Sequence, residues 1–111
     1  MSLKSLTAPD REVVRRAMAA TFRYFDADFH TRLGVWEHEM HALLSAWPEI
    51  EDSDDDGPAS LAINNSLNDL LNGVGISEEE AREFIGVDRA EMRRIYKKWA
   101  RARGWSSTGL R

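Results

Sequence analysis

The sequence contains no cysteine, no long hydrophobic run and no glycine-rich phosphate-binding loop. Without cysteine the chain forms neither disulfides nor a catalytic thiolate, which favours a reducing compartment. No apolar run approaches the roughly 20 residues that cross a bilayer. The N-terminal residues MSLKSLTAPD also lack the apolar stretch of a secretory signal. We therefore expect a cytoplasmic protein that does not enter a membrane.

Recognisable catalytic motifs are also missing. The sequence has no G-x-S-x-G elbow, and its serines, histidines and carboxylates form no familiar nucleophile arrangement. Paired carboxylates are too frequent among 19 Asp and Glu residues to indicate general acid–base chemistry. We expect a protein that is not an enzyme and that needs no cofactor.

The residues that are present indicate a globular helical protein. Of 111 residues, 42% are hydrophobic and 31% are charged, which is typical of one domain with one core. Apolar residues recur at helical spacing, and no segment alternates with the period of a strand. The sequence thus predicts an all-α fold, a compact bundle of about five helices. We expect residues 5–105 to form this domain and residues 106–111 to be a flexible tail.

Capping residues and helix breakers set the predicted boundaries. Thr7, Ser77 and Asp88 are suitable N-caps, and Pro58 suits the first turn of a helix. Glycines and Pro48 end the helical patterns. These signals predict helices over about residues 7–30, 36–47, 58–73, 77–86 and 88–104.

The last predicted helix is the only strongly basic one. Asp88 and Glu91 form a capping box, and Met92, Ile95 and Trp99 fall on one apolar side. Up to residue 101 the rest of the helix carries six cations, namely Arg89, Arg93, Arg94, Lys97, Lys98 and Arg101. Like charges four residues apart repel each other. Either packing of the apolar side or an acidic partner must offset that repulsion.

Charge is divided unevenly along the chain. From Asp88 onward eight Lys and Arg oppose two acidic residues, a net charge of +6, whereas the remainder has seven against seventeen, a net charge of -10. Residues 49–56 form a predicted solvated acidic loop. Its candidate binding carboxylates are Asp52, Asp54, Asp55 and Asp56. A basic end on an acidic body is typical of an intramolecular contact, head-to-tail self-association or a patch for an anionic ligand.

Residues 33–47 (LGVWEHEMHALLSAW) resemble residues 85–99 (IGVDRAEMRRIYKKW) at an offset of 52 positions. The identical pairs are Gly34 and Gly86, Val35 and Val87, Glu39 and Glu91, Met40 and Met92, and Trp47 and Trp99. Duplication of a helical hairpin and convergence on a common way of starting a helix both explain the similarity. Under either explanation we expect Trp47 and Trp99 to be buried near each other.

Residues 77–103 also resemble the two-helix core of helix-turn-helix DNA-binding proteins, through the segment GVDRAEMRRIYKKW. The resemblance implies base-edge contacts for Arg89, Ala90, Arg93 and Arg94, and phosphate contacts for Lys97, Lys98 and Arg101. The sequence departs from the pattern at Arg82, where such proteins usually have Ala. Glu78, Glu79, Glu80 and Glu83 would repel phosphates, and the pI is about 5.3.

Two groups of residues offer metal-ligand chemistry. The first contains acid–histidine neighbours one helical turn apart, Asp26 with His30 and Glu37 with His41, with His38 close by. The second resembles the start of an EF-hand calcium loop and consists of Asp52, Asp54, Asp56 and Gly57. The first spacing matches no standard metal motif, and Ile63 stands where an EF-hand needs a bidentate Glu. We expect no metal site.

The favoured hypothesis is therefore a non-enzymatic, small helical protein-interaction module. It would use the basic face of residues 89–101, the acidic loop 49–56, or both, against a protein partner or a second copy of itself. The alternative is a helix-turn-helix-like nucleic-acid-binding protein that uses Arg93, Arg94, Lys97 and Lys98 of the C-terminal basic helix.

Overall fold

A computed structural model describes residues 3–102 of the protein. In this range a short 3₁₀ turn (Leu3–Ser5) precedes six helices: α1 (Ala8–Tyr24), α2 (Phe29–Leu33), α3 (Glu37–Ala46), α4 (Pro58–Asn68), α5 (Glu78–Glu80) and α6 (Arg89–Ala102). Two π-helical turns, Asp69–Gly73 and Ala81–Ile85, extend α4 and α5. No strand occurs between residues 3 and 102, so the predicted all-α bundle is confirmed. The predicted tail 106–111 lies outside the described residues.

Helix α1 begins as predicted but ends earlier. The Thr7 hydroxyl accepts a hydrogen bond from the Asp10 backbone N–H at 3.2 Å, which caps the helix. The prediction that this helix continues to about His30 is wrong, because α1 ends at Tyr24 and Phe25 is extended and buried. A turn in which the Phe29 N–H binds the Asp26 carbonyl then leads into α2. This turn places the Phe29 ring in the core. Phe25 and Phe29 therefore keep a helical spacing although the helix is interrupted after Tyr24.

Gly34 separates α2 from α3. Its φ of +74° lies in the left-handed region that favours glycine, and Leu33 before it and Val35 after it are both buried. The Asn65 side-chain amide donates to the Leu33 carbonyl at 2.9 Å, so α4 holds the end of α2 in place. Glu39 then accepts from the Trp36 backbone N–H at 2.8 Å in the first turn of α3.

The second half of the chain follows the predicted signals closely. Gly57 caps α4 and Pro58 is its first residue. Ser77 and Glu80 form a capping box in which each side chain accepts from the other residue's backbone N–H at 3.0 Å. Gly86, with φ of +93°, ends the second π-helical turn and redirects the chain into α6.

The core forms around α1, which packs against α3, α4, α6 and the Ala81–Ile85 turn. Met18, Met40, Met92 and Trp99 are fully buried within it. Trp47 follows the end of α3 and is only partly buried, packed at the edge of the core. The prediction of two buried tryptophans therefore holds for Trp99 and is wrong for Trp47. Among residues 3–102, no helix combines the length and apolarity needed to cross a bilayer.

Candidate interaction surface

The apolar side of α6 is anchored deep in the protein. Met92, Ile95, Tyr96 and Trp99 are each at most 1% exposed. The Tyr96 hydroxyl donates to the Asn64 side-chain oxygen of α4 at 2.6 Å, and the two rings of Tyr96 and Trp99 lie 6.5 Å apart. This burial fixes which side of α6 faces outward and therefore where its charged residues lie.

Arg89 is a structural residue of the basic face. Its guanidinium donates to the Leu71 carbonyl at 2.7 Å and also to the Ile76 carbonyl. The Arg89 backbone N–H donates to Glu78 at 3.3 Å. Arg89 thus joins the start of α6 to the connection between α4 and α5. Its donors are engaged within the chain, so we exclude Arg89 from the surface that is available to a partner.

Arg94 is also paired within the chain. It forms an ion pair with Glu91 at 2.5 Å and a second one with Asp10, at the start of α1, at 3.1 Å. The hydrogen bond with Glu91 raises the pKa of Arg94 and lowers the pKa of Glu91. Arg94 therefore links α6 to α1, and its charge is locally compensated.

Four of the predicted cations remain, and we call them the α6 cation cluster: Arg93, Lys97, Lys98 and Arg101. None of them forms an ion pair with a carboxylate of residues 3–102. Arg101 is exposed, and the other three are half-buried along their stems. The cluster spans about two helical turns of the outward face of α6.

Helix α4 packs against α6. Tyr96 reaches Asn64 and Arg89 reaches Leu71, so the two helices run antiparallel. The Asn68 side-chain oxygen of α4 accepts from the Asn72 side-chain amide at 3.0 Å, so the end of α4 is polar.

The acidic loop differs from its prediction at one residue. Asp52 was expected in solvent but is fully buried, and its carboxylate accepts from the Trp99 indole N–H at 3.0 Å and from the Leu3 backbone N–H at 2.9 Å. Its backbone carbonyl accepts from the Ser60 hydroxyl at 2.9 Å. Asp52 is turned inward because two buried N–H donors require an acceptor there. The prediction that Asp52 belongs to a solvated binding surface is wrong.

The other predicted carboxylates of the loop do face outward. Asp54, Asp55 and Asp56 are exposed, as is Glu51. The Asp54 side chain accepts from the Asp56 backbone N–H at 3.0 Å, and the Asp54 carbonyl accepts from the Gly57 N–H at 3.0 Å. These bonds shape a turn that presents three consecutive carboxylates immediately before α4.

The histidines take part in ring stacking. The rings of His30 and Trp36 stack with their centroids 3.8 Å apart, and the rings of His41 and Phe22 stack with their centroids 4.4 Å apart. Within the described part of the chain, no three His, Asp or Glu side chains gather in a way that could hold a metal ion. The inward turn of Asp52 also separates it from Asp54 and Asp56, with which it would have formed the EF-hand-like group.

Sequence reasoning did not predict the long-range partners of Asp10 and Asp52. Asp10 stands 84 positions before Arg94, and Asp52 stands 47 positions before Trp99. Neither has a local sequence signal that identifies its partner. Ile50 and Asp52 are both buried and the residue between them is exposed. This alternation results from how the loop packs and has no signal in the sequence.

No protein-family model matches the chain. Searches of curated proteins and of solved structures returned no significant match either.

Proposed function

We propose that the protein is a non-enzymatic interaction module of the cytoplasm that binds an acidic segment of a protein partner through the α6 cation cluster. One observation carries the proposal. Arg93, Lys97, Lys98 and Arg101 share an outward face and have no ion pair within residues 3–102. By contrast, every arginine between residues 3 and 88 contacts a carboxylate, a carbonyl or an aromatic ring.

The physical argument is one of uncompensated repulsion. Arg93, Lys97 and Arg101 follow one another at intervals of four residues, a spacing at which like charges destabilise a helix by about 0.2–0.5 kcal/mol per pair. Complete burial of Trp99 on the opposite side holds α6 in place despite this repulsion. Carboxylates of a partner would remove the repulsion and add charge-assisted hydrogen bonds.

Nucleic-acid binding is the second candidate, and the backbone around Gly86 favours it. Residues 78–85 form a helical segment, Gly86 turns the chain, and α6 follows with Ala90 exposed in its first turn. Two observations weigh against it. Arg89 and Arg94, two of the implied base-reading residues, are engaged within the chain, and Glu78 and Glu79 stand exposed on the preceding helix.

The test compares two variants of equal charge. In the cluster variant Arg93, Lys97, Lys98 and Arg101 are replaced by Gln. In the control variant four exposed cations outside α6, namely Lys4, Arg16, Arg23 and Arg82, are replaced by Gln. Proteins captured from a native-host extract are compared among the wild type and both variants, and duplex DNA binding is measured at low and high salt.

We expect the cluster variant to lose protein ligands with acidic segments that the wild type and the control variant retain. Identical capture by all three proteins would refute the proposal. Binding of duplex DNA that only the cluster variant loses, with a steep decrease at high salt, would replace it with the second candidate.

A further inference from the structure

A groove of about 250 Å³, which we call the α1 groove, lies between α1 and the Ala81–Ile85 turn. Three arginines of α1 line it, namely Arg15, Arg16 and Arg23. The groove is smaller than the roughly 300–1,000 Å³ of pockets that hold drug-sized ligands. It therefore has room for one small chemical group next to several guanidiniums.

The guanidiniums of Arg16 and Arg23 converge on one short segment of the opposite wall. The guanidinium carbon of Arg23 lies over the Phe84 ring, 4.0 Å from the ring centroid. The Arg16 Nη1 lies so close to Gly86 that a Cβ added to this glycine would be 2.7 Å from it. Phe84 and Gly86 are two positions apart. Two cations seven positions apart on α1 are thus held against the same few residues.

The carboxylates at the groove do not balance these cations. Arg15 binds both oxygens of Glu12, at 2.8 and 2.6 Å, and Arg16 shares one of them through its Nε at 3.1 Å. Arg23 forms no ion pair with a carboxylate of residues 3–102. Among the described residues that line the groove, Glu83 is the only acidic one, and it is exposed to solvent. One guanidinium is therefore unpaired and a second is only partly compensated.

We propose that the α1 groove binds a phosphate monoester between the guanidiniums of Arg16 and Arg23. A guanidinium offers parallel N–H donors that match the oxygens of a phosphate. A phosphate monoester has three strong acceptor oxygens and a charge of about -1.5 to -2 near pH 7, so it accepts from two guanidiniums and neutralises both. A carboxylate has two oxygens and one charge, which a single guanidinium already satisfies. This site shares no residue with the α6 cation cluster.

The apolar part of the lining favours an ester over inorganic phosphate. Ala19, Ala20 and Phe84 supply this part, and the two alanines lie between Arg16 and Arg23 along α1. Their methyl groups and the ring can contact the carbon that carries the phosphate. We therefore expect a monoester to bind more tightly than inorganic phosphate.

Phosphate titrations followed by NMR test the site in the full chain. The wild type is titrated at neutral pH and constant ionic strength with inorganic phosphate, glycerol phosphate and a short phosphoserine peptide, and with acetate as the carboxylate control. The Nε–H signals of Arg16 and Arg23 and the amide signal of Gly86 should shift and saturate with the three phosphates. The Nε–H signal of Arg82, which does not line the groove, should not shift.

Three single variants and a matched control sharpen the test. Arg16→Gln and Arg23→Gln should each weaken glycerol phosphate binding about tenfold or more, because each removes a charge-assisted hydrogen-bonding partner. Glu83→Gln should strengthen it about twofold to fivefold, because the groove loses its own carboxylate. Arg82→Gln, which removes an exposed cation outside the groove, should leave binding unchanged. Circular dichroism verifies that each variant is folded.

The outcomes separate this site from the proposed function. Shifts that do not saturate with any phosphate, an equal response to acetate, or equal binding by the wild type and both arginine variants would each overturn the inference. Tighter binding of the peptide would identify a phosphorylated side chain as the source of the phosphate, and tighter binding of glycerol phosphate a small molecule. The control variant of the extract comparison already lacks Arg16 and Arg23. Ligands that it retains therefore do not depend on the α1 groove, and either proposal can fail without the other.

Discussion

Residues 29–47 and 81–99 place a helical turn, a glycine and a longer helix at matching positions, although Phe29–Leu33 is α-helical and Ala81–Ile85 is π-helical. The helical turns Phe29–Leu33 and Ala81–Ile85 begin and end 52 positions apart, Gly34 and Gly86 both have positive φ, and α3 and α6 begin 52 positions apart. The second segment differs in that it directly follows α5, whereas the first follows the turn after α1. Duplication of a helical unit stays a prediction, but the two segments allow a comparison of one order of elements with two sets of side chains.

The two copies differ in how firmly they are held. Helix α3 has 10 residues and buries only Met40, whereas α6 has 14 residues and buries five side chains. At the last shared position Trp47 is partly buried and Trp99 is fully buried, with its indole N–H bound by Asp52. The comparison teaches that strong anchoring of one side allows a helix to keep uncompensated charge on the other. Helix α3, which is weakly anchored, contains no Lys or Arg.

Replacing the two tryptophans should give the largest difference between the copies. Trp99→Ala is expected to lower the free energy of unfolding by about 3–5 kcal/mol, because it removes a fully buried ring. Trp47→Ala should lower it by about 1 kcal/mol, because the ring lies at the core edge. Urea denaturation of both variants measures the difference. Equal losses would show that the anchoring of the two helices is alike.

Removing the anchor of Trp99 should have the next largest effect. Asp52→Ala leaves the buried Leu3 and Trp99 N–H groups without this acceptor, at about 1–3 kcal/mol each. Glu49→Ala, three residues earlier in the same loop and exposed, should change stability by about 0.5 kcal/mol or less. The same denaturation experiment compares the two. A small loss for Asp52→Ala would contradict the structural role given to this carboxylate.

The two glycines test whether the turns are equivalent. Gly34→Ala and Gly86→Ala should each lower the free energy of unfolding by about 1–2 kcal/mol, because both place a Cβ in the left-handed region. The new Cβ would lie 3.2 Å from the Asn65 amide in the first turn and 2.7 Å from the Arg16 guanidinium in the second. Arg16 is long and exposed and can move aside, whereas Asn65 is bonded to Leu33. In thermal unfolding the melting temperature of Gly34→Ala should therefore be lower than that of Gly86→Ala. The reverse order would contradict this explanation.

The smallest effect concerns a carboxylate in the first turn of α6. The Arg94 bond lowers the pKa of Glu91, so its stabilising contribution is present above the unfolded-state pKa and is lost as the pH falls through the folded-state pKa. The melting temperature of the wild type should exceed that of Glu91→Gln at neutral pH, and the gap should close in acid. Glu39→Gln is the matched variant in α3. A gap at Glu91 that is independent of pH would show that the ion pair contributes nothing.

The sequence predicted the elements of this fold whose causes are local. Thr7, Ser77 and Asp88 cap helices as expected, because each bonds a backbone N–H three residues ahead. Gly34 and Gly86 end helical segments for an equally local reason. The break at Phe25 was missed because the turn there preserves the helical spacing of the buried rings.

The candidate surface could be predicted only in part. The outward position of the cations follows from the amphipathic pattern of α6, but the engagement of Arg89 and Arg94 depends on carbonyls and a carboxylate from distant segments. Asp52 lies in a run of acidic residues that appears uniformly solvated, and only the position of Trp99 distinguishes it. Contacts between residues far apart in sequence form only when the helices and loops pack together. The spacing of residue types along the chain does not reveal them.

Asp52 has a consequence for how the protein opens. Its carboxylate receives N–H groups from Leu3, near one end of the described chain, and from Trp99, near the other. If either end frays, the Asp52 carboxylate loses one of these two N–H donors. We therefore expect the two ends to exchange their amide and indole hydrogens with solvent as one cooperative unit rather than independently.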